Sequence, residues 1–167
     1  FLYYSPYAVH TPICPVDSLL YKYEGKEPWM GQGNARYATM IDNLDRNIGD
    51  LLAMLESTGV IKNTLVVFTS DNGGNYSITR QKPLRAGKGS YYEGGIRVPL
   101  IFKWKGKVNE GEWCDVSVDC TDLFPTILEA AGYDREVLYD EMAIDGRSLM
   151  PLFKDTDNSK KAYDHNT

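Results

Sequence analysis

Cysteine is scarce in this 167-residue chain, and what there is does not pair up. Cys14, Cys114 and Cys120 make an odd number with no C-x-x-C spacing. A self-contained disulfide framework and a zinc knuckle are thereby excluded, and three buried or unpaired thiols are expected. No apolar run approaches the roughly 18 residues that a membrane-spanning helix needs. Lysine and arginine never gather into a block, and the net charge is −5. Nucleic-acid binders carry a basic stripe, so that class is set aside. A small anionic substrate is still allowed, because a site can be locally positive on an acidic protein. No signal peptide is visible, which carries little weight because Phe1 is not a natural start. There is no internal repeat. Hydrophobic residues at 43% and charged residues at 25% are ordinary values for a globular chain with one core.

What is present is organised around Thr64–Gly74, T-L-V-V-F-T-S-D-N-G-G. Leu65, Val66, Val67 and Phe68 form an apolar run without alternation. That pattern predicts a central parallel strand covered on both faces. Asp71-Asn72-Gly73-Gly74 breaks it at the carboxyl end, where open α/β sheets bind their ligands. Asp71 and Asn72 offer two hard oxygens, suited to Ca²⁺ or Mg²⁺. A plain turn, with both side chains bonded to their own backbone, would also account for them.

Upstream, Phe1–Tyr4 reads as a core strand, and Val9-His10-Thr11-Pro12 as a loop at its carboxyl end. His10 is one of two histidines and a ligand-binding candidate, with a surface or capping role as the alternative. Residues 13–34 read as an irregular loop pinned by its aromatic residues. Asn34 is placed to cap a helix over Arg36–Ser57. Tyr37, Ile41, Leu44, Ile48, Leu51, Leu52 and Leu55 supply its apolar face, Asp42 and Asp45 belong to its solvated face, and Gly59 ends it. Downstream of the Asp71 turn, Asn75–Gly95 is a polar loop in which Lys88 is flanked by glycines. It is not a phosphate-binding P-loop: Lys82 occupies the first glycine position and Gly89 the Ser/Thr position, and no helix pattern follows. Further elements expected are a strand over Val98–Trp104, a short strand over Glu112–Val118, and a helix over Leu123–Ala131. Thr121 or Asp122 would cap that helix, with Phe124, Ile127, Leu128 and Ala131 turned inward. Leu149, Met150, Leu152 and Phe153 tuck back, and the chain is polar from Lys154.

Six pieces stand in one order: H-T-P; Y-x-x-M-I-x-x-L-D-x-x-I-G-x-L-L; N-T-L-V-V-F-T-S-D-N-G-G; L-R-A-G-K-G-S-x-x-E-G-G-I-R-V-P; D-L-F-P-T-I-L-E-A-A-G; and D-G-R-S-L-M-P-L-F. In that order and spacing the chain resembles the sulfatase family of the alkaline-phosphatase-like superfamily. The resemblance implies an α/β fold, part of a mixed, mostly parallel sheet flanked by helices. Residues 1–153 would be the second half of a catalytic domain, and 154–167 a polar tail leading toward a carboxyl-terminal subdomain.

For the site, the resemblance implies that Asp71 and Asn72 are metal ligands, for Ca²⁺ with Mg²⁺ as the alternative. Lys88 would contact the sulfate. His10 would contact the sulfate ester and help protonate the leaving oxygen. Arg97 would be structural. The family nucleophile is a formylglycine made within C-x-P-S-R or S-x-P-x-R. This sequence has neither, since Pro15 directly follows Cys14 and no arginine comes after it. The nucleophile and the remaining metal ligands are expected upstream of Phe1. The implied activity is sulfuric ester hydrolysis on a small-molecule or glycan sulfate ester, with the 167 residues inactive alone. The alternatives are a phosphomonoesterase or phosphonate monoester hydrolase of the same superfamily, and a non-catalytic fragment. Self-association through an exposed sheet edge is expected of an incomplete domain. Family habit suggests a secreted, periplasmic or lysosomal location.

Overall fold

The computed structural model describes residues 1–154 apart from Arg135, Leu138, Asp140, Glu141 and Met142. The polar tail expected from Lys154 therefore lies, but for that residue, outside the described residues. The chain divides into two compact units, one of Phe1–Ile61 with Val67–Ile101, the other of Lys62–Val66 with the chain from Phe102 onward.

The first unit is built on helix α1, Ala35–Ser57. Its start follows the expected chemistry: the Asn34 side chain accepts a hydrogen bond from the Tyr37 amide at 3.0 Å. Its end does as well, with Gly59 in the left-handed region at φ +74°. Thr39 and Met40 are its buried residues. The Thr39 hydroxyl donates to the Arg36 carbonyl at 2.8 Å and accepts from the Val16 amide at 2.9 Å, tying the preceding loop to the helix. Leu44, Ile48, Leu51, Leu52 and Leu55 are half-buried, whereas Ile41 is exposed.

The loop over residues 13–34 is more regular than the sequence suggests. Asp17–Lys22 forms a 3₁₀ turn that buries Leu19. It is pinned through Asp42, which was expected on the solvated face. Lys22 and the Tyr23 hydroxyl both donate to Asp42 Oδ2, at 3.0 and 2.9 Å, and Arg46 donates to Oδ1 at 2.6 Å. Led by the Lys22 and Tyr23 bonds, these contacts hold the Asp42 carboxyl down to about 2. The same carboxylate pushes the Tyr23 phenol up.

Strand β1, Val66–Thr69, pairs with β2, Leu100–Lys103, in a two-stranded sheet. Both strands fall where the sequence puts them, and Pro99 precedes β2, where its missing N–H costs no ladder bond. Coverage on both faces does not hold: Phe68 and Ile101 are exposed. Phe1–Tyr4 is not a strand. Its four residues are exposed and pair with nothing among the described residues. Glu112–Val118 likewise forms no strand. Apolar or alternating character is not sufficient without a neighbour to supply the ladder bonds.

In the second unit, a 3₁₀ turn at Cys120–Asp122 leads into helix α3, Leu123–Ala130. The short helix α2, Glu93–Ile96, belongs to the site described below. Asp122, one of the two residues expected, is the N-cap of α3, but its side chain makes no cap bond to that helix; the side-chain cap comes from Asp119, at the start of the 3₁₀ turn. Asp119 and Asp122 form a reciprocal capping box, the Asp119 side chain accepting from the Thr121 amide at 2.9 Å and Asp122 Oδ2 accepting from the Asp119 amide at 2.8 Å. The buried residues of α3 are Pro125 and Thr126. Phe124 and Ala131 are exposed, and Ile127 and Leu128 are half-buried, so the expected inner face is rotated. The rotation follows from hydrogen bonding. Asp122 Oδ1 accepts from the Arg147 amide at 2.7 Å, and the Thr126 hydroxyl accepts from the Leu149 amide at 2.7 Å. These bonds stitch D-G-R-S-L onto D-L-F-P-T and bury Leu149. Gly146 allows the approach, since a Cβ there would lie 2.2 Å from the Thr121 carbonyl oxygen. Phe153 is buried and stacks on Phe102 with ring centroids 4.9 Å apart. All three cysteines are unpaired, as expected, but exposed rather than buried. A hydrogen bond to Asp119 pushes the Cys120 thiol up, so it is not primed as a nucleophile.

Candidate active site

The site is assembled by glycines that let backbone touch backbone. After β1 the chain turns through Asp71–Gly74. The Gly73 amide donates to the Gly95 carbonyl, and the Lys88 amide donates to the Gly74 carbonyl, both at 2.9 Å. The Gly94 amide donates to the Arg85 carbonyl at 2.8 Å. Three separate stretches, D-N-G-G, L-R-A-G-K-G-S and E-G-G, thus close on one another. A Cβ at Gly73 would lie 1.9 Å from the Gly94 carbonyl oxygen, and one at Gly95 2.1 Å from the Ser90 carbonyl oxygen. No side chain fits either gap. E-G-G forms the single-turn helix α2, where the sequence showed no helix pattern.

This packing brings the backbones of the candidate residues Lys88, Asp71 and Asn72 together. Lys88 is exposed, and its ammonium has no ion-pair or hydrogen-bond partner among the described residues. Its backbone is bonded to the same turn that carries Asp71 and Asn72. Asp71 is exposed, and among the described residues its carboxylate is hydrogen-bonded only by the Ser70 hydroxyl, at 3.5 Å. Asn72 uses its amide N–H to bond the Gly73 carbonyl at 2.9 Å, and its Oδ1 accepts no hydrogen bond among the described residues. The plain-turn alternative is therefore half met: Asn72 bonds its own backbone, Asp71 does not. Asp71 Oδ2 and Asn72 Oδ1, which accept no hydrogen bond among the described residues, fit a hard cation in type, and they are two of the six to eight oxygens that Ca²⁺ takes. Among the described residues no group of three or more His, Cys, Asp or Glu gathers to complete such a set. Arg97 pairs with Glu93 at 3.1 Å on the surface of α2, consistent with a structural part.

The contacts of His10 are local. Its Nδ1 lies 2.8 Å from the Thr11 carbonyl oxygen, its amide donates to the Tyr7 carbonyl, and its ring lies 5.3 Å from that of Tyr7. A carbonyl only accepts, so Nδ1 carries a proton and Nε2 is the nitrogen left for chemistry. No hydrogen bond joins His10 to the Lys88 and Asp71 turn among the described residues.

Sequence reasoning missed the support around Lys88. Trp29 and Gln32 exchange both backbone hydrogen bonds, at 3.2 and 2.8 Å, across a two-residue turn. Both central residues have positive φ, Met30 at +50° and Gly31 at +84°. The Gln32 side chain then bonds Thr79 and the Arg80 carbonyl. Met-Gly is not an Asn-Gly or Asp-Gly hairpin signal, so the turn was not legible.

Residues 1–133 match the family model described as Sulfatase. The chain belongs to the sulfatase family. It is similar to a sulfatase of Formosa agariphila, 40% identical over 144 residues, covering 79% of this chain and 26% of the relative. It is also similar to the mouse steryl-sulfatase, 33% identical over 127 residues, covering 71% of this chain and 20% of the relative. This sulfatase chain thus spans roughly a fifth to a quarter of the length of those curated relatives. Among solved structures it is similar to Ps i-CgsB, crystallised in complex with k-i-k-neocarrahexaose. That match has a TM-score of 0.77 at 35% identity and covers 87% of this chain and 31% of the other. The fold is accordingly α/β and alkaline-phosphatase-like. No described helix is long and apolar enough to cross a membrane.

Proposed function

We propose that the protein carrying this chain is a sulfuric ester hydrolase. The observation that supports this best is the Lys88 backbone bonded to the Asp71–Gly74 turn, with its ammonium unpaired among the described residues. Sulfate-ester cleavage builds negative charge on the departing oxygen and leaves it on the sulfuryl oxygens. A cation brought to those oxygens from this loop would stabilise that charge. His10, with Nδ1–H anchored on the Thr11 carbonyl, would act as the imidazolium, giving its Nε2 proton to the leaving oxygen and remaining as the neutral ring. Asp71 and Asn72 would hold Ca²⁺, or Mg²⁺ in its place. When bound, that ion neutralises charge on the ester oxygens. A formylglycine nucleophile would come from a segment outside these 167 residues, because they contain no C-x-P-S-R or S-x-P-x-R. The purified 167-residue chain is therefore expected to be inactive, and turnover by it would contradict that. The likeness to Ps i-CgsB supports a glycan sulfate ester as substrate. Family membership supports a secreted, periplasmic or lysosomal location.

The reaction class is tested by giving the full-length protein matched sulfate and phosphate monoesters. Preferred turnover of the sulfate is expected. Preference for the phosphate would assign it instead to the phosphomonoesterases or phosphonate hydrolases of the superfamily. Metal binding is tested separately by the melting temperature with and without Ca²⁺. Asp71→Ala should abolish the rise.

A further inference from the structure

Beside Lys88 the chain builds a second cationic surface that the chemistry above does not use. Tyr76 adjoins the lysine loop: a Cβ at Gly87 would lie 3.3 Å from Tyr76 Cβ. The Arg80 guanidinium lies over the Tyr76 ring, 4.3 Å from its centroid, and donates to the Tyr76 carbonyl. Stacking fixes the plane of the guanidinium, and Arg80 has no carboxylate partner among the described residues. Arg80 is in turn gripped from the other side. Its carbonyl accepts from the Gln32 side chain, whose oxygen accepts from the buried Thr79 hydroxyl at 2.5 Å. Gly31 has no room for a side chain, since a Cβ there would lie 2.9 Å from Arg80 Cγ. This grip holds the positive-φ turn that Trp29 enters and Gln32 leaves, with Trp29 74% exposed. An indole left 74% exposed, on a turn that puts a methionine at positive φ, adds strain and gains little burial.

We propose that Arg80 and Trp29 form a subsite for a neighbouring anionic sugar of the substrate, next to the ester held by Lys88. The inference rests on the sulfate-ester reading and narrows it to glycans with a second sulfate or carboxylate near the scissile ester. The planar, unpaired guanidinium takes the anion by a forked pair of hydrogen bonds, and the indole offers a face on which a sugar ring stacks. Lys88 acts on the reacting group. Arg80 and Trp29 act on affinity and on the choice of substrate.

The test uses the full-length protein with two substrates, 4-nitrophenyl sulfate and a sulfated hexasaccharide carrying several sulfates. Arg80→Gln should lower kcat/KM on the hexasaccharide about tenfold or more, mainly through KM, as loss of one charge-assisted contact requires. It should leave 4-nitrophenyl sulfate within about twofold. Trp29→Ala should do the same, and Trp29→Phe should restore most of the loss. Equal losses on both substrates would show a merely structural part and overturn the proposal, as would no loss on either. If the wild-type protein hydrolyses neither substrate, the sulfate-ester reading fails by itself. The subsite is then judged by calorimetric titration with the same hexasaccharide. Binding weakened about tenfold by Arg80→Gln supports it. No binding, or binding indifferent to that change, overturns it.

Discussion

Replacing Gly94 by alanine would break the site without touching any residue that does chemistry. The new Cβ would lie 2.3 Å from the Ala86 carbonyl oxygen and 2.5 Å from that of Arg85. Both are backbone atoms, so neither can swing aside as a long side chain would. Ordinary contact needs about 3.5 Å, so the 85–86 backbone must retreat by about 1 Å. That movement also stretches the Gly94 to Arg85 hydrogen bond, now 2.8 Å. Overpacking of this kind costs about 1–3 kcal/mol and a lost backbone bond about 1 kcal/mol, for about 2–4 kcal/mol together. Lys88 lies two residues beyond Ala86, and if it is the charge-stabilising group proposed above, an ångström of misplacement there costs on the order of a hundredfold in rate. The assay is chemical denaturation and sulfate-ester turnover of the full-length protein. Gly49→Ala is the control. Gly49 lies inside α1 with nothing within 4 Å of its would-be Cβ. It should gain about 0.5–1 kcal/mol. If Gly94→Ala unfolds within about 0.5 kcal/mol of wild type, the backbone-on-backbone account of the site is wrong.

Three further outcomes follow from the same structure. Thr126→Val in the full-length protein should cost about 1–3 kcal/mol in denaturation, because it leaves the buried Leu149 amide without an acceptor; an unchanged midpoint would contradict the stitch between α3 and D-G-R-S-L. The Asp42 carboxyl is held at about 2, below its ordinary 3.8, so its contribution to stability is complete above 3.8 and disappears as pH falls through 2. The stability gap between wild type and Asp42→Asn, followed by denaturation against pH, should therefore close across that window, and a gap constant down to pH 2 would refute it. His10→Ala should slow sugar or alkyl sulfates far more than 4-nitrophenyl sulfate, whose leaving oxygen needs no proton; equal losses on the two would remove His10 as the proton donor.

The parts of the fold legible in the sequence are those decided within a few residues. Asn34 caps α1 because its side-chain oxygen meets an amide three residues on. Gly59 ends the helix because φ +74° suits glycine. The strand through Val66–Thr69 and its polar turn were legible from a β-branched run followed by Asp-Asn-Gly-Gly. What depends on distant partners was not. Phe1–Tyr4 has strand composition, but no neighbour among the described residues supplies a ladder. Asp42 has the spacing of a solvated face, yet Lys22 and Tyr23 from twenty residues upstream converge on it. The inner face of α3 is set by Leu149 and Arg147, far along the chain. For the site, the glycine-flanked Lys88 was visible as a candidate. That its amide bonds the Gly74 carbonyl, and that Gln32 braces Arg80 beside it, required the structure.

The central claim, that Lys88 beside the Asp71–Asn72 turn is the charge-stabilising group of a sulfate-ester hydrolase, is tested most directly by one comparison. Steady-state turnover of a sulfate ester is measured for the full-length protein and its Lys88→Ala variant, alongside their melting temperatures. The account predicts a loss of about 10²–10³ in kcat with an unchanged melting temperature, since the Lys88 ammonium has no partner among the described residues to lose. Near wild-type turnover by Lys88→Ala would contradict it.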